Sequence, residues 1–158
     1  MVEMKTNVMR ILEQKKINYQ SHCYAETGAV SGLEVAAILH QPVDRVFKTL
    51  VTVGKSSSHY VFVIPVAEEL DLKKAAKCVG EKSVEMVKSK ELLSLTGYIH
   101  GGCSPIGMKK FFQTTIHNTA QQAKTIFFSA GKIGYQVELS SEDLKKVIRF
   151  SYGDLIVE

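Results

Sequence analysis

The stretch VFKTLVTVGKSSSHYVFVIPV, Val46 to Val66, decides the fold class. Val46 to Val53 and Tyr60 to Val66 are rich in β-branched and aromatic residues, and the polar segment Gly54 to His59 between them has the length and composition of a hairpin loop. Both runs are nearly continuously apolar, as strands buried on two faces are. Side chains alternate across a strand, so Val46, Lys48 and Leu50 share one face while Phe47, Thr49 and Val51 share the other. Lys48 is then the one charge inside an apolar strand. A buried ammonium is costly unless paired, and lysine is rarely placed so without a partner or a water-filled cavity. Two alternatives arise. Either Lys48 lies on an edge strand and snorkels to solvent, or it lines a pocket and meets an anionic or carbonyl-bearing ligand.

Outward from this pair, short elements alternate. Upstream, Met4, Val8, Met9, Ile11 and Leu12 recur at helical spacing and predict an amphipathic helix over the first fifteen residues. Ile17 to Tyr24 has strand character. Ser31 with Glu34 forms a capping box opening a short helix over Val35, Ile38 and Leu39, and Gln41 to Arg45 is a turn fixed by Pro42. Downstream, Asp71 caps a helix over Leu72 to Val79 that Gly80 ends. Ser83 to Val87 is a short strand, and Ser89 to Thr96 a helix stopped by Gly97. Further strands are expected at Thr114 to His117, Thr125 to Ala130 and Tyr135 to Leu139, the last two joined by the tight turn Gly131 to Gly134. Ser140 with Asp143 caps a final helix through Arg149, before a short tail, Phe150 to Glu158. No repeat or linker interrupts the chain. Residues 1–158 are expected to form a single α+β domain, with a mixed, barrel-like β-sheet surrounded by short helices.

Composition narrows the function classes. With 45% hydrophobic and 23% charged residues the chain is a globular protein and not a disordered one. No apolar run approaches the roughly 20 residues that span a bilayer, and the N-terminus lacks the apolar block of a signal peptide. Cys23, Cys78 and Cys103 are odd in number and far apart, which argues against a disulfide framework or a zinc knuckle and for the cytoplasm. The net charge of +4 permits a polyanionic partner without demanding one.

Beyond Lys48, chemistry concentrates in YIHGGCSPIG, Tyr98 to Gly107, the only glycine-dense stretch. Paired glycines let a ligand approach backbone N–H groups, which suits phosphate, carbonyl or ribose oxygens, although a flexible connector reads the same way. No Walker or dinucleotide-binding pattern is present. Cys103 beside His100 suggests thiol catalysis, yet catalytic Cys–His pairs are usually distant in sequence, and Cys103 reads better as a small apolar filler. The five histidines show no ligand spacing such as HxxxH, so no metal is expected. Lys73-Lys74, Lys109-Lys110 and Lys145-Lys146 are solvated faces or phosphate contacts.

Taken together, VFKTLV around Lys48, VIPVAEELDLKKAAK (Val63 to Lys77), GYIHGGCSPIGMKK (Gly97 to Lys110) and FFSAGKIGYQVEL (Phe127 to Leu139) resemble the YbaK/EbsC family in order, spacing and length. This family is related to the editing domain inserted in bacterial prolyl-tRNA synthetases. The resemblance implies a barrel-like α+β fold and a trans-editing aminoacyl-tRNA deacylase acting on cysteine misattached to tRNA(Pro). The partner it implies is aminoacyl-tRNA, with prolyl-tRNA synthetase a further candidate, and it implies no cofactor. The family's lysine falls on Lys48, its early tyrosine on Tyr24, its glycine loop on Gly101, Gly102, Ser104, Pro105 and Gly107, and its SAGK-type turn on Ser129, Gly131 and Lys132. The chain departs from the pattern at Cys103, where an aliphatic residue is common, and at Gln136, where some relatives carry aspartate. The expected chemistry is substrate-assisted: the thiol of the attached cysteine attacks its own ester, Lys48 positions the substrate and stabilises negative charge, backbone N–H groups at Gly101, Gly102 and near Gly131 hold the carbonyl or ribose, and Ser129 and Tyr24 shape the pocket. Hydrolysis of Ala-tRNA(Pro) by water and a non-catalytic tRNA-binding or regulatory module are the alternatives.

Overall fold

A computed structural model describes residues 5–158. Met4, counted above into the first helix, lies outside the described residues. In chain order the elements are α1 (Asn7–Gln14), β1 (Gln20–Cys23), α2 (Gly32–Ile38), β2 (Phe47–Gly54), β3 (His59–Pro65), α3 (Leu72–Val79), β4 (Val84–Met86), α4 (Ser89–Thr96), β5 (Gln113–His117), β6 (Ile126–Ser129), β7 (Tyr135–Leu139), α5 (Ser141–Leu144) and β8 (Ser151–Gly153). Helix boundaries coincide with their caps. Ser31 and Glu34 close a reciprocal capping box on α2. Asp71 accepts the Lys73 and Lys74 N–H groups at the start of α3, which Gly80 ends in the left-handed region.

The strands form two sheets. One is antiparallel, in the order β1-β7-β6; the other is mixed, in the order β4-β2-β3-β5-β8. The hairpin at the centre of the second sheet pairs Phe47 with Pro65 through Val53 with His59. A parallel bridge between Val46 and Phe127 joins the two sheets at the start of β2. The architecture is thus an α+β fold of two joined, curved sheets with short helices around them.

Apolar patterning explains the layers. Val61 and Val63 of β3 enter the main core with Val8 and Leu12 of α1, Ile116 of β5, Phe128 of β6 and Val137 of β7. Phe62 and Ile64, on the opposite face, pack against Ala75 and Ala76 of α3. Both faces of β3 are therefore buried from Val61 on, which is why Val61 to Pro65 is unbroken by polar residues.

The C-terminal segment differs from expectation. The final helix is only Ser141–Leu144, not a helix through Arg149. The Leu144 carbonyl takes the N–H groups of both Val147 and Ile148, and the chain then turns so that Val147, Ile148 and Phe150 pack on the main core. The tail is ordered rather than trailing: Ser151–Gly153 adds a parallel edge strand to β5. Lys74 secures the last few residues, donating to the Ile156 carbonyl at 2.8 Å and pairing with Asp154 at 3.0 Å. One of the paired lysines thus fastens the tail instead of offering a free cation.

Candidate active site

The site arises from a mismatch in strand neighbours. Along its second half, β2 has β4 beside it, Thr52 to Gly54 pairing with Met86 to Val84. Along its first half that edge faces β6, which pairs with it only at the Val46–Phe127 bridge just before β2. From this bridge the strands part, and a cavity of about 650 Å³ fills the fork. The Val46 carbonyl accepts from Val66 on the β3 side, and the Val51 carbonyl accepts from Val87 on the β4 side. Backbone groups alternate, so the Thr49 N–H and C=O face the open fork.

Lys48 falls in a gap between helices. On its face of β2, Val46 packs with Ala36 of α2, while Leu50 packs with the cluster beneath α3. Lys48 lies between these two clusters, half-buried, and lines the cavity together with residues of α2. Among the described residues Lys48 makes no ion pair or hydrogen bond. The edge of β2 is open at Lys48, as the snorkelling alternative supposed, and it gives onto a concave cavity that is itself open to solvent.

Of the residues singled out in the sequence, Lys48, Tyr24, Gly101 and Ser129 line this cavity together. Residues nearly 80 positions apart (Tyr24 and Gly101, for example) meet because β1 and the glycine loop both abut the fork. Gly102 and Gly131 do not line it. The Gly102 N–H donates to the Ile99 carbonyl at 3.0 Å. The Gly131 N–H donates to Ser129 Oγ at 3.1 Å, fixing that hydroxyl and leaving its proton free to point into the cavity. Gly131 has φ +92°, and a Cβ there would lie 2.9 Å from Tyr98 Cε1. Tyr98 in turn donates to the Ile106 carbonyl at 2.5 Å, bracing the glycine loop against the Ser129 turn.

Three features go beyond the sequence reading, which marked Gln136 only as a departure from the aspartate of some relatives. Thr49 Oγ1 is buried without a hydrogen-bond partner among the described residues; an unsatisfied buried hydroxyl costs about 1–3 kcal/mol. Gln136, only 3% exposed, lines the cavity and exchanges two hydrogen bonds with Gln41, at 2.7 and 3.1 Å. Residues of α2 and the segment before it, including Val30, Leu33 and Glu34, form one wall. The alternation of β2 placed Thr49 with the core residues Phe47 and Val51, and nothing local marks it as facing a fork. Gln41 sits 95 positions from its partner.

Chemically, the cavity holds a cation and polar hydroxyls but no activated protein nucleophile. Cys103 lines it, yet burial pushes its thiol up to about 12, so it is not a ready thiolate near neutral pH. Among the described residues, the partner of Ser129 Oγ is an N–H donor rather than a base. No group of three or more His, Cys, Asp or Glu side chains suited to a metal occurs among the described residues.

Comparison with known proteins places this geometry. The model of the aminoacyl-tRNA editing domain matches residues 27–147. A protein of Enterococcus faecalis (strain ATCC 700802 / V583), provisionally named the Cys-tRNA(Pro)/Cys-tRNA(Cys) deacylase EbsC, is 46% identical over 154 residues, covering 97% of this chain and 94% of that protein. A proline–tRNA ligase of Pelobacter propionicus is 31% identical over 77 residues, 49% of this chain and 13% of the ligase. Two crystal structures share the fold at 20% identity. One, of a hypothetical protein, has a TM-score of 0.85 over 94% of this chain and 97% of its own. The other, provisionally described as a trans-editing enzyme for prolyl-tRNA synthetase, has a TM-score of 0.84 over 98% of this chain and 100% of its own.

Proposed function

The chain belongs to the aminoacyl-tRNA editing domain family, and from that premise we propose that residues 1–158 act as one trans-editing domain that removes cysteine misattached to tRNA(Pro). The observation that carries this reading is a Lys48 ammonium that, among the described residues, has no partner, in a cavity where they supply no activated nucleophile. Such a cavity suits a substrate that brings its own.

The cysteinyl thiol attacks the ester carbonyl carbon. A C–S bond forms, the C–O bond to the ribose breaks, and the thiol proton passes to the departing ribose oxygen, releasing tRNA and a cyclic thiolactone. A free thiol ionises near pH 8.5, far more readily than a hydroxyl, and intramolecular attack gains a large effective concentration. Lys48 holds the ribose or phosphate end and stabilises the oxyanion as it develops. Gly101 and the Thr49 backbone N–H offer donors at the fork, Ser129 donates its hydroxyl, and Tyr24 shapes the aminoacyl side. Gly102 and Gly131 act behind these groups, Gly131 through Ser129. Phosphate contacts give salt-dependent tRNA binding. The enzyme works in the cytoplasm, with prolyl-tRNA synthetase as the partner that delivers the tRNA; among the described residues no helix is long and apolar enough to cross a membrane.

The test is a panel of tRNA(Pro) charged with cysteine, alanine or serine, cleaved by wild type and by Lys48→Ala. Wild type is expected to release cysteine fastest, with thiolactone as the product, and to lose that activity when the cysteine thiol is blocked. Cleavage of Cys-tRNA(Pro) at the wild-type rate by Lys48→Ala overturns the role given to Lys48. Binding without turnover overturns the enzymatic reading.

A further inference from the structure

The pocket face of the three-stranded sheet carries a wall that the catalytic account does not use. Gln136 of β7 lies opposite Ser129 of β6 and opposite His22 of β1 in the strand registers. Behind it, Gln41, from the turn after α2, donates through Nε2 to Gln136 Oε1 at 2.7 Å and accepts from Gln136 Nε2 at 3.1 Å. Two amides so paired fix each other's orientation. The Gln41 N–H is itself bonded to the Ala36 carbonyl, so the pair also ties the wall helix α2 to the sheet.

The carboxylates around this wall are already committed. Glu138, two residues along the same face, takes His22 Nε2 on one oxygen at 2.9 Å and the Thr125 hydroxyl on the other at 2.6 Å, with Arg45 at 3.6 Å. Burial acts to raise its pKa, but the Thr125 and His22 hydrogen bonds and the Arg45 charge outweigh that and hold the carboxyl below its ordinary value. Glu34, which also lines the cavity, accepts the Ser31 N–H at 3.1 Å as part of the α2 capping box. Where the cavity meets Gln136 it therefore meets a neutral, fixed amide.

We propose that the Gln41–Gln136 amide pair selects the amino acid, Gln136 facing the substrate side chain and Gln41 acting as the positioning residue behind it, for aminoacyl esters with small uncharged side chains. This rests on the editing reading of the same cavity. A bulkier side chain must push Gln136 off Gln41, breaking two hydrogen bonds and leaving the buried Gln136 amide unpaired. A cationic one is set against a neutral amide with both nearby carboxylates already committed, and an anionic one competes for Lys48, which the editing reading gives to the ribose or phosphate. Cysteine and alanine fit both requirements.

Affinity for non-cleavable 3′-aminoacylamino-3′-deoxyadenosines tests the wall separately from the chemistry. The probes carry cysteinyl, alanyl or methionyl groups and are measured with wild type, Gln136→Ala, Gln41→Ala and the double variant. Wild type is expected to prefer the cysteinyl and alanyl probes over the methionyl one by about tenfold or more. Each single variant should bring that ratio close to one, and the double variant should add nothing further, since the two residues act as one unit. A purely structural role lowers all three affinities together and leaves the ratio unchanged, which overturns the proposal, as does failure of wild type to bind any probe. Gln41→Asn, too short to reach Gln136, is the second variant if a truncation unfolds, and should lose the ratio in the same way. If Cys-tRNA(Pro) is cleaved but the ratio survives every variant, only this inference falls; if nothing is cleaved, the editing reading falls by its own assay.

Discussion

The two halves of β2 are made of similar residues and end up doing different work. Val51 to Gly54 has a strand on each side, and Val51 is 2% exposed in the main core. Phe47 to Leu50 has β3 on one side and an open fork on the other, and three of its four residues are only half-buried. What separates core from site is the presence of a paired strand at the edge, because without one a hydroxyl (Thr49) and an ammonium (Lys48) are left without partners among the described residues. Those unsatisfied groups are a cost to the folded chain and a resource for a ligand.

The sharpest way to break the comparison is to exchange effects between the halves. Lys48→Ala should lower deacylation by about 100-fold or more while leaving the melting temperature close to wild type. Val51→Ala should do the opposite, destabilising the protein by about 2 kcal/mol in denaturant titration with kcat little changed below the transition. A Lys48→Ala protein that melts early while Val51→Ala loses turnover would show that the halves are not separate in function.

Thr49→Val sharpens the contrast at one atom. It removes the unpartnered hydroxyl at nearly constant volume, so the free protein should gain about 1 kcal/mol and yet bind or process the substrate less well. Unchanged stability would show that Thr49 Oγ1 has found a partner in solution.

Away from the fork, satisfied polar groups give a control. His117, 4% exposed, accepts the Leu155 N–H on Nδ1 at 3.2 Å, and this requires the neutral ring. Burial lowers its pKa below the ordinary value; Lys74 acts in the same direction, while Asp154, Glu68 and a hydrogen bond with Gly153 act against it. With the folded pKa depressed, the unfolded state binds the proton more readily. The contribution to stability is therefore complete above about pH 6.5 and declines as the pH falls from there toward the folded-state value. Denaturant titrations at pH 7.5 and 5.5 should show this loss in wild type and less of it in His117→Phe. Equal slopes would remove His117 from the account. The smallest effect belongs to Cys103→Ala, which should leave deacylation near wild type, because a thiol held up at about 12 contributes packing rather than chemistry.

Much of the local structure was legible because its signals are local. Asp71 and Gly80 bound α3, Gly97 stops α4 and β7 runs from Tyr135 to Leu139, each as the sequence predicts. The final helix was overread, because Val147 and Ile148 continue a helical spacing in the sequence but serve the main core from a turn. The edge strand Ser151–Gly153 was missed, since its partner, β5, begins 38 residues earlier and nothing in FSYGDLIVE announces a parallel pairing.

At the site, Lys48 was visible as a charge in an apolar strand, and the motifs around it carried the family. Sequence alone thereby determined most of the elements and the family, and pointed to Lys48, because caps, periodicity and a misplaced charge are properties of short segments. Only the tertiary structure decided that Lys48 lines one cavity with Tyr24, Gly101 and Ser129, that Thr49 Oγ1 is left without a partner among the described residues, and that Gln41 holds Gln136. Each of these depends on which strand lies beside β2 and where two sheets part, and strand neighbours are set by contacts between distant segments that no local pattern encodes.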